Sequence, residues 1–498
     1  MILLIPFKLT LKMISKIFFT NPEKWPKWFL IALLVKGTFF AVMLKMGFSE
    51  DIKGFWGGTN GDLFSYIDPI ENLLAGGNYN IDNRIPGYAA CYFLLRLLFT
   101  QAVACNVLIF IQLLVAVVSV TYLAKIARIW FRSDLAFYVT FYAYVFSSLT
   151  NIFDHYLLTE SFAASSVIFW TYFLVKFEQT NQKRYLVVSG AFMTFLIFLK
   201  PVHAPMLGIA SLVWGIYFLQ KKITFKQLIQ RSAFFLLPFL VVDGAWIVRN
   251  YNYYNGAFVP ISKSMWHAEG WPPNFFQMAD FTAAWGGDIN FGLPKNDIRW
   301  IMGFENDQYL RHWFVHEQIQ PVPSYVYTSK FNGDSLFWIR KESQRTLYDT
   351  MPETERLRRR EIVKQKLIAY TNAIRTEKPF LYYVRAPLRI AYRFFIGVSG
   401  SHFLEDVVQA EWPRKILFYY HLILVSLGSL GMALLLYTQL RSFNLQSVAW
   451  LSGAYTVLIL CVVLRHAETR YLAPVWPFWS LCAGFLVKQF WRFLTLFK

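Results

Sequence analysis

Charge is scarce in this chain, and the scarcity is the first constraint on what it can be. Asp, Glu, Lys and Arg make up 16% of its 498 residues, against about 25% in a soluble domain. Water is therefore excluded as the main solvent, and lipid takes its place. Cysteine is scarce too. Cys91, Cys105, Cys461 and Cys482 each lie in an apolar stretch. They have neither the paired spacing of a zinc site nor that of a disulfide framework, so they read as small hydrophobes. There is no Gly-rich phosphate loop, no GxSxG and no dinucleotide fingerprint, and hence no recognisable ATP or soluble nucleotide-sugar site. His466 and Glu468 two apart, or Asp154 next to His155, are too sparse for a metal centre, and neither a metal nor a cofactor is expected. Internal repeats and inverted hydropathy symmetry are also missing.

What is present is apolar and aromatic. The chain is 56% hydrophobic and 19% aromatic, with 49 Phe, 28 Tyr and 18 Trp, and its mean hydropathy is +0.36. So many aromatics suit belts at two membrane interfaces. A net charge of +19 would suit nucleic acid if it were gathered into a basic domain. Instead the cations sit between apolar runs, and no nucleic acid partner is expected.

A membrane span takes about 20 mostly apolar residues. The candidates are 28–46, 104–124, 134–152, 161–177, 185–200, 204–220, 232–249, 416–438, 447–465 and 473–490, the short ones standing upright or extended by interfacial residues. The run 87–101, opened by Pro86-Gly87 and interrupted by Arg96, reads as an outer interfacial helix. With that reading every short loop assigned to the inside is basic, KKITFKQLIQR at 221–231 included, as the positive-inside rule requires. The fold class expected is all-α integral membrane, with about ten transmembrane helices, outer interfacial helices and a small extracytoplasmic domain. Residues 1–27, where Lys8, Lys12 and Lys16 repeat every four residues and no small-residue cleavage site follows, read as a cytoplasmic interfacial helix. An N-terminal transmembrane catalytic module at 28–249 with its first outer loop at 47–103, an extracytoplasmic domain at 250–414 and C-terminal helices at 415–498 complete the division. Within 250–414, PFLYYVRAPLRIAYRFFIG alternates aromatic and Arg residues and is expected to rest on the membrane surface. The location expected is the plasma or inner membrane, multi-pass, with both termini cytoplasmic.

The chemistry-bearing residues gather on the outer side of this topology. Asp62 opens GDLFSY just beyond the first span. A carboxylate there serves as a base toward an acceptor hydroxyl, or it caps the helix that begins at Leu63. Asp154 and Glu160 in NIFDHYLLTE are a second pair of acids, there to orient an acceptor, assist the base or hold a metal. The alternative is that Thr159 and Glu160 simply cap the next span. Lys200 in FLKPVHAP, Arg249 in WIVRNYN and Arg470 in RHAETRYLAP stand at outer ends of spans, where positive-inside statistics disfavour cations. A lipid-borne phosphate is one reason for such cations; snorkelling to ordinary headgroups is the other.

Taken in order, these motifs resemble those of C-type (GT-C) glycosyltransferases, in the group that contains protein O-mannosyltransferases and lipid A aminoarabinose transferases. The likeness spans most of the membrane part. It rests on Asp62-x-x-x-Tyr66, Gly76-Gly77, Arg84-x-Pro86-Gly87-Tyr88, an acid at Asp154 or Glu160, Lys200 before the sixth span, Arg249-Asn250 with Gly256, and His466-x-Glu468-x-Arg470-Tyr471. Ile85 replaces the first Pro of its motif, Pro201 follows Lys200 where Gly is usual, and Leu63 follows Asp62 where the O-mannosyltransferases carry Glu. The resemblance implies inverting transfer of a sugar from a polyprenyl-phosphate carrier to a hydroxyl on an acceptor glycan, lipid or protein, at the outer face of the membrane. In that scheme Asp62 is the base, Asp154 or Glu160 an auxiliary acid, and Lys200, Arg249 and Arg470 hold the donor phosphate. Tyr66, Arg84, Tyr88, His466, Glu468 and Tyr471 are supporting. The competing class is a transporter or flippase built on Lys36, Asp243 and Arg96 near the midplane.

Overall fold

Backbone polar groups in lipid have no water to bond, so an apolar chain of this kind must satisfy them within helices. A computed structural model of the protein describes residues 22–46, 52–58, 62–79, 84–253, 256, 258, 260, 273–289, 297–303, 322–397, 411–466 and 468–495. Among them no strand forms; only isolated bridges pair Gly58 with Tyr156 and Thr328 with Phe331. The expected N-terminal helix with Lys8, Lys12 and Lys16 lies outside the described residues.

The chain divides into two compact units. The first comprises Met1–Lys263, Gly400–Tyr455 and Arg470–Lys498, and the second Ser264–Ser399 with Thr456–Thr469. The helices of the first are α1 (Trp25–Met46), α2 (Phe64–Leu74), α3 (Gly87–Arg96), α4 (Gln101–Phe131), α5 (Asp134–Val145), α6 (Glu160–Thr180), α7 (Lys183–Leu199), α8 (Leu207–Leu219) and α9 (Phe225–Tyr253). Glu411–Arg441, Ser447–Val457 and Trp476–Thr495 follow after the second unit's main segment.

Helices stand at all ten expected spans, but among the described residues five are long and apolar enough to cross a membrane: α1, α4, α8 with the turn before it, α9 and Glu411–Arg441. A sixth counts if α5 and Ser148–Asp154, bent by 52°, form one broken span. The others fall short for visible reasons. The 17 residues of α7 reach about 26 Å at 1.5 Å per residue, under the hydrocarbon thickness of about 30 Å. In α6 the apolar run is diluted by Ser161, Ser165, Ser166 and Thr171, all buried. Ten residues of α3 cannot span at all.

Lipid is as apolar as Leu, so these helices are held by close packing rather than by escape from solvent. The α4 helix is the hub, touching α1, α5, α6 and Trp476–Thr495. Trp28 of α1 meets Phe137 and Phe141 of α5 edge-on, at 5.0 and 4.8 Å. The segment between α1 and α4 packs inward: α2 on α3, and α3 on α4 and α7. Gly87 permits that last contact, because a Cβ there would sit 2.2 Å from the Phe198 carbonyl oxygen. Gly76, at φ +87°, ends α2 in the left-handed conformation that suits glycine.

The second unit has a core of its own. It includes Phe281, Trp285, Trp300, Phe331, Leu336, Leu367 and Ile374, gathered from Phe275–Ala284, Gly333–Tyr348, Glu353–Glu377 and the segments between them. The polar helix Glu353–Glu377 buries Val363, Leu367, Tyr370 and Ile374 at helical spacing. Its outer face is laced by short-range pairs such as Arg359–Glu355 at 2.8 Å.

Candidate functional site

Asp62 stands in the turn that starts α2, where its carbonyl oxygen accepts from Ser65 N at 3.2 Å and Ser65 Oγ at 2.5 Å. Its carboxylate lies between two guanidiniums. Arg84 Nη2 is 2.8 Å from Oδ1, and Arg470 Nη1 donates to Oδ2. Arg84 is fixed in turn by Ser65 Oγ at 2.9 Å and by the Tyr66 ring at 4.9 Å. Burial weakens the Arg84 charge, but Tyr66 and Asp62 more than restore it, so the guanidinium is held above its ordinary pKa. One carboxylate is thus met by two guanidiniums.

A second pair sits beside the first. Lys200 ends α7 in an extended conformation, φ −147° and ψ 105°, because the following Pro201 disfavours the helical region. Its Nζ is 2.6 Å from Oε1 of Glu160, the first residue of α6. Thr159 makes no capping bond to the α6 backbone, so Glu160 is an ion-pair partner rather than half of a capping box. Tyr471 joins the two pairs: Lys200 Nζ lies 4.3 Å and the Arg470 guanidinium 5.6 Å from its ring centre. Tyr66 likewise feels the charges of Glu160, Asp62, Arg84 and Arg470, although burial dominates and keeps its hydroxyl protonated above the ordinary range. Behind it Tyr88 packs 5.2 Å from Tyr66 and donates to Gln112 at 2.6 Å.

Arg249 approaches from α9. It donates to the Tyr79 carbonyl at 2.7 Å and to Asn250 Oδ1 at 3.1 Å, against the rings of Tyr253 and Trp246 at 4.5 and 5.2 Å. The Tyr79 hydroxyl reaches back toward the Arg84 carbonyl at 3.5 Å, and burial, opposed by Arg249, pushes it up to about 12. Trp246 also lines an apolar cavity of about 500 Å³ between α3, α7 and α9, with Pro86, Cys91, Phe195, Phe198 and Pro238 among its walls.

Asp154 stands in a different setting. Its Oδ2 accepts from Lys36 Nζ at 2.7 Å and its Oδ1 from Ser161 Oγ at 2.6 Å, while Lys36 also donates to Asn151 Oδ1 at 2.7 Å. This network ties α1 to the break after α5 and to the first turn of α6. His466 and Glu468 belong to the second unit, bonded to each other at 2.7 Å. Among the described residues no group of three His, Cys, Asp or Glu side chains gathers to hold a metal.

The first unit thus brings together Asp62, Tyr66, Arg84, Glu160, Lys200, Arg470 and Tyr471. Sequence reasoning missed that Lys36 serves Asp154, and it missed Gln112, Asn151, Ser161 and Tyr79. The signal was there for Lys36: a lone cation in an apolar run needs an acid at the same depth. Nothing comparable marked the Tyr79 carbonyl. Glu71 of α2 is bonded to Arg96 at 2.7 Å and to Tyr92. Burial raises its pKa, but these bonds outweigh that and lower it.

No family model matches the chain, and no curated protein matches it. Among the solved structures similar to it are two of oligosaccharyltransferase from Archaeoglobus fulgidus. One is archaeal oligosaccharyltransferase AglB in complex with an inhibitory peptide and a dolichol-phosphate, at 11% identity and a TM-score of 0.48, covering 95% of this chain and 51% of that one. The other is a crystal structure in complex with Zn and sulfate, at 11% identity and a TM-score of 0.44, covering 94% and 50%. The chain therefore spans about half the length of the solved structures it matches. At these values the likeness decides no residue's role, and the function has to be read from the side chains.

Proposed function

We propose that the chain is a membrane glycosyltransferase that takes a sugar from a polyprenyl-phosphate carrier and transfers it, with inversion, to an acceptor hydroxyl on the outer face of the membrane. The observation that carries this reading is Asp62 held by both Arg84 and Arg470, with the Lys200–Glu160 pair beside them across Tyr471. An acid for the acceptor and cations for a phosphate are what such a transfer needs within one site. The topology that goes with it is ten spans, both termini cytoplasmic, and an extracytoplasmic domain at 250–414.

The carrier's phosphate lodges among Arg470, Lys200 and Arg249, and its hydrocarbon chain enters the apolar cavity beside Trp246. That phosphate competes with Asp62 for Arg470. Once Arg470 turns to the phosphate, the carboxylate keeps Arg84 and accepts a proton more readily. The acceptor hydroxyl then loses its proton to Asp62 as its oxygen bonds the anomeric carbon. The bond from that carbon to the phosphate oxygen breaks, and its electron pair leaves with polyprenyl phosphate. The charge that grows on the leaving group is met by fixed cations, the most valuable contribution a protein makes to such a step. Glu160 orients Lys200, and the acceptor is a glycan, lipid or protein. The transporter reading loses its first charge, since Lys36 is bonded to Asn151 and Asp154.

The deciding experiment is incubation of the purified chain in nanodiscs with a panel of polyprenyl-phosphate sugars and candidate acceptors, following release of polyprenyl phosphate. Release that depends on Asp62 supports the proposal. Intact carrier-linked sugar across the whole panel, with uptake of solute into vesicles instead, would hand the chain to the transporter class.

A further inference from the structure

The second unit carries an apolar ridge that its own fold leaves uncovered. Phe380, Val384, Leu388 and Tyr392 recur every four residues along the helical run that includes Leu381–Arg385, Ala386–Tyr392 and Arg393–Gly397, and they are 70%, 39%, 65% and 59% exposed. The run is wound as a π-helix at both ends, and such wider turns keep residues four apart on one face. The ridge is about 18 Å long at 1.5 Å per residue. Leu381, Ala386, Ile390 and Phe394 are buried on the other side of the same run.

Cations line the ridge. Arg385 packs 4.1 Å from the Tyr325 ring, Arg389 donates to the Tyr325 hydroxyl at 2.9 Å, and Arg375 donates to the Tyr383 hydroxyl at 2.8 Å. The acid nearest in sequence, Glu377, is engaged by Ser329 N and Oγ at 2.8 and 2.6 Å. The ridge is also joined to a lipid-type helix. Arg465, just past the apolar helix Ser447–Val463, donates to the Tyr382 carbonyl at 2.8 Å and covers the Tyr382 ring at 3.8 Å. That helix end exposes Leu458, Val462 and Val463.

We infer that this face of the second unit is a membrane-surface element that takes a bilayer containing anionic lipid. Phe380, Val384, Leu388 and Tyr392 enter the boundary between headgroups and acyl chains, while Arg385 and Arg389 meet lipid phosphates, the arrangement by which amphipathic helices bind interfaces. The inference needs only that the chain sits in a bilayer, and it stands or falls apart from the transfer reaction. Its test is a photo-crosslinking amino acid placed at Val384 in the full chain, in nanodiscs of phosphatidylcholine with phosphatidylglycerol. Gln365, exposed on Glu353–Glu377, is the control site. About tenfold more lipid adduct than at Gln365 is expected, falling several-fold in the Phe380→Lys, Leu388→Lys double variant and in phosphatidylcholine alone. Both replaced side chains are exposed, so the unit keeps its core. Adduct no greater than at Gln365, or adduct to protein in place of lipid, would overturn the assignment.

Discussion

Asp62 and Asp154 are both acids beside membrane helices, and the protein treats them in opposite ways. Asp154 is closed in: its side chain and that of Lys36 are 3% and 1% exposed, and its two oxygens are bonded to Lys36 and Ser161. One cation meets one anion, and neutral Asn151 and Ser161 complete the shell. Asp62 is 26% exposed and shared by two guanidiniums from distant parts of the chain, Arg84 and Arg470. A balanced, dry pair resists change, because removing either partner strands a charge in low dielectric. An over-compensated, accessible carboxylate can give up one of its cations to an incoming anion and remain paired. On this contrast we read the first arrangement as a brace and propose the second as the working site.

The largest effect should come from Asp62→Asn. Asn keeps the shape but cannot take a proton, so turnover is expected to fall about 10²-fold or more, with the thermal midpoint nearly unchanged because the site is already wet. Turnover assays and unfolding scans on one preparation check both halves. A mutant that turns over normally would erase the distinction between the two acids.

Next comes the cation that the proposed donor recruits. Arg470→Ala should cost about 10² in turnover, comparable to deleting a fixed donor to a developing charge. Arg470→Lys keeps the charge but loses the planar fork that addresses carboxylate and phosphate together, and about tenfold loss is expected. An Arg470→Lys variant that turns over like the parent, read from steady-state turnover, would mean that charge alone matters and that the fork geometry at Asp62 is incidental.

The sequence made much of this contrast visible, and the limits of what it showed are physical. Asp62, Lys200 and Arg470 stood out because lipid makes charged residues rare, and a rare charge at a span's outer end is easy to find. The pairing did not stand out. Asp62 and Arg470 are 408 positions apart, and no local periodicity encodes a contact at that separation. Asp154 was placed beside Glu160 as an acid of the same kind, since both flank one short loop; only the packing of α1 against it separates them. Helix positions were legible from hydropathy. By length and composition five of the described helices are long and apolar enough to cross a membrane, fewer than the hydropathy runs, because α7 is short and α6 fills its apolar run with buried hydroxyls. The bend after Val145 carried no proline to announce it.

The brace itself is tested by a cycle. Asp154→Leu leaves Lys36 buried without a counter-charge and should destabilise the protein by about 3–5 kcal/mol. Adding Lys36→Met should return most of that stability, since an apolar pair of similar volume is often neutral or better than a buried ion pair. If the doubly substituted protein is as stable as the parent and still transfers sugar, Asp154 is structural. Stable but inactive protein would place Asp154 in the chemistry and collapse the comparison from the other side.

Arg249 should give the smallest effect, and it marks where the working site ends. Its guanidinium is bonded to the Tyr79 carbonyl and to Asn250, with no acid among these partners, and Tyr79 in turn touches the Arg84 carbonyl. A cation so placed would hold the carrier's phosphate equally before and during bond breaking. Interactions that are the same in both states raise KM when lost and leave kcat alone. Arg249→Ala is therefore expected to raise KM for the lipid donor several-fold, roughly 1 kcal/mol of binding, with kcat within about twofold of the parent. A fall in kcat matching that of Arg470→Ala would move Arg249 into the group that meets the leaving charge, and the working site would then extend across the mouth of the apolar cavity to α9.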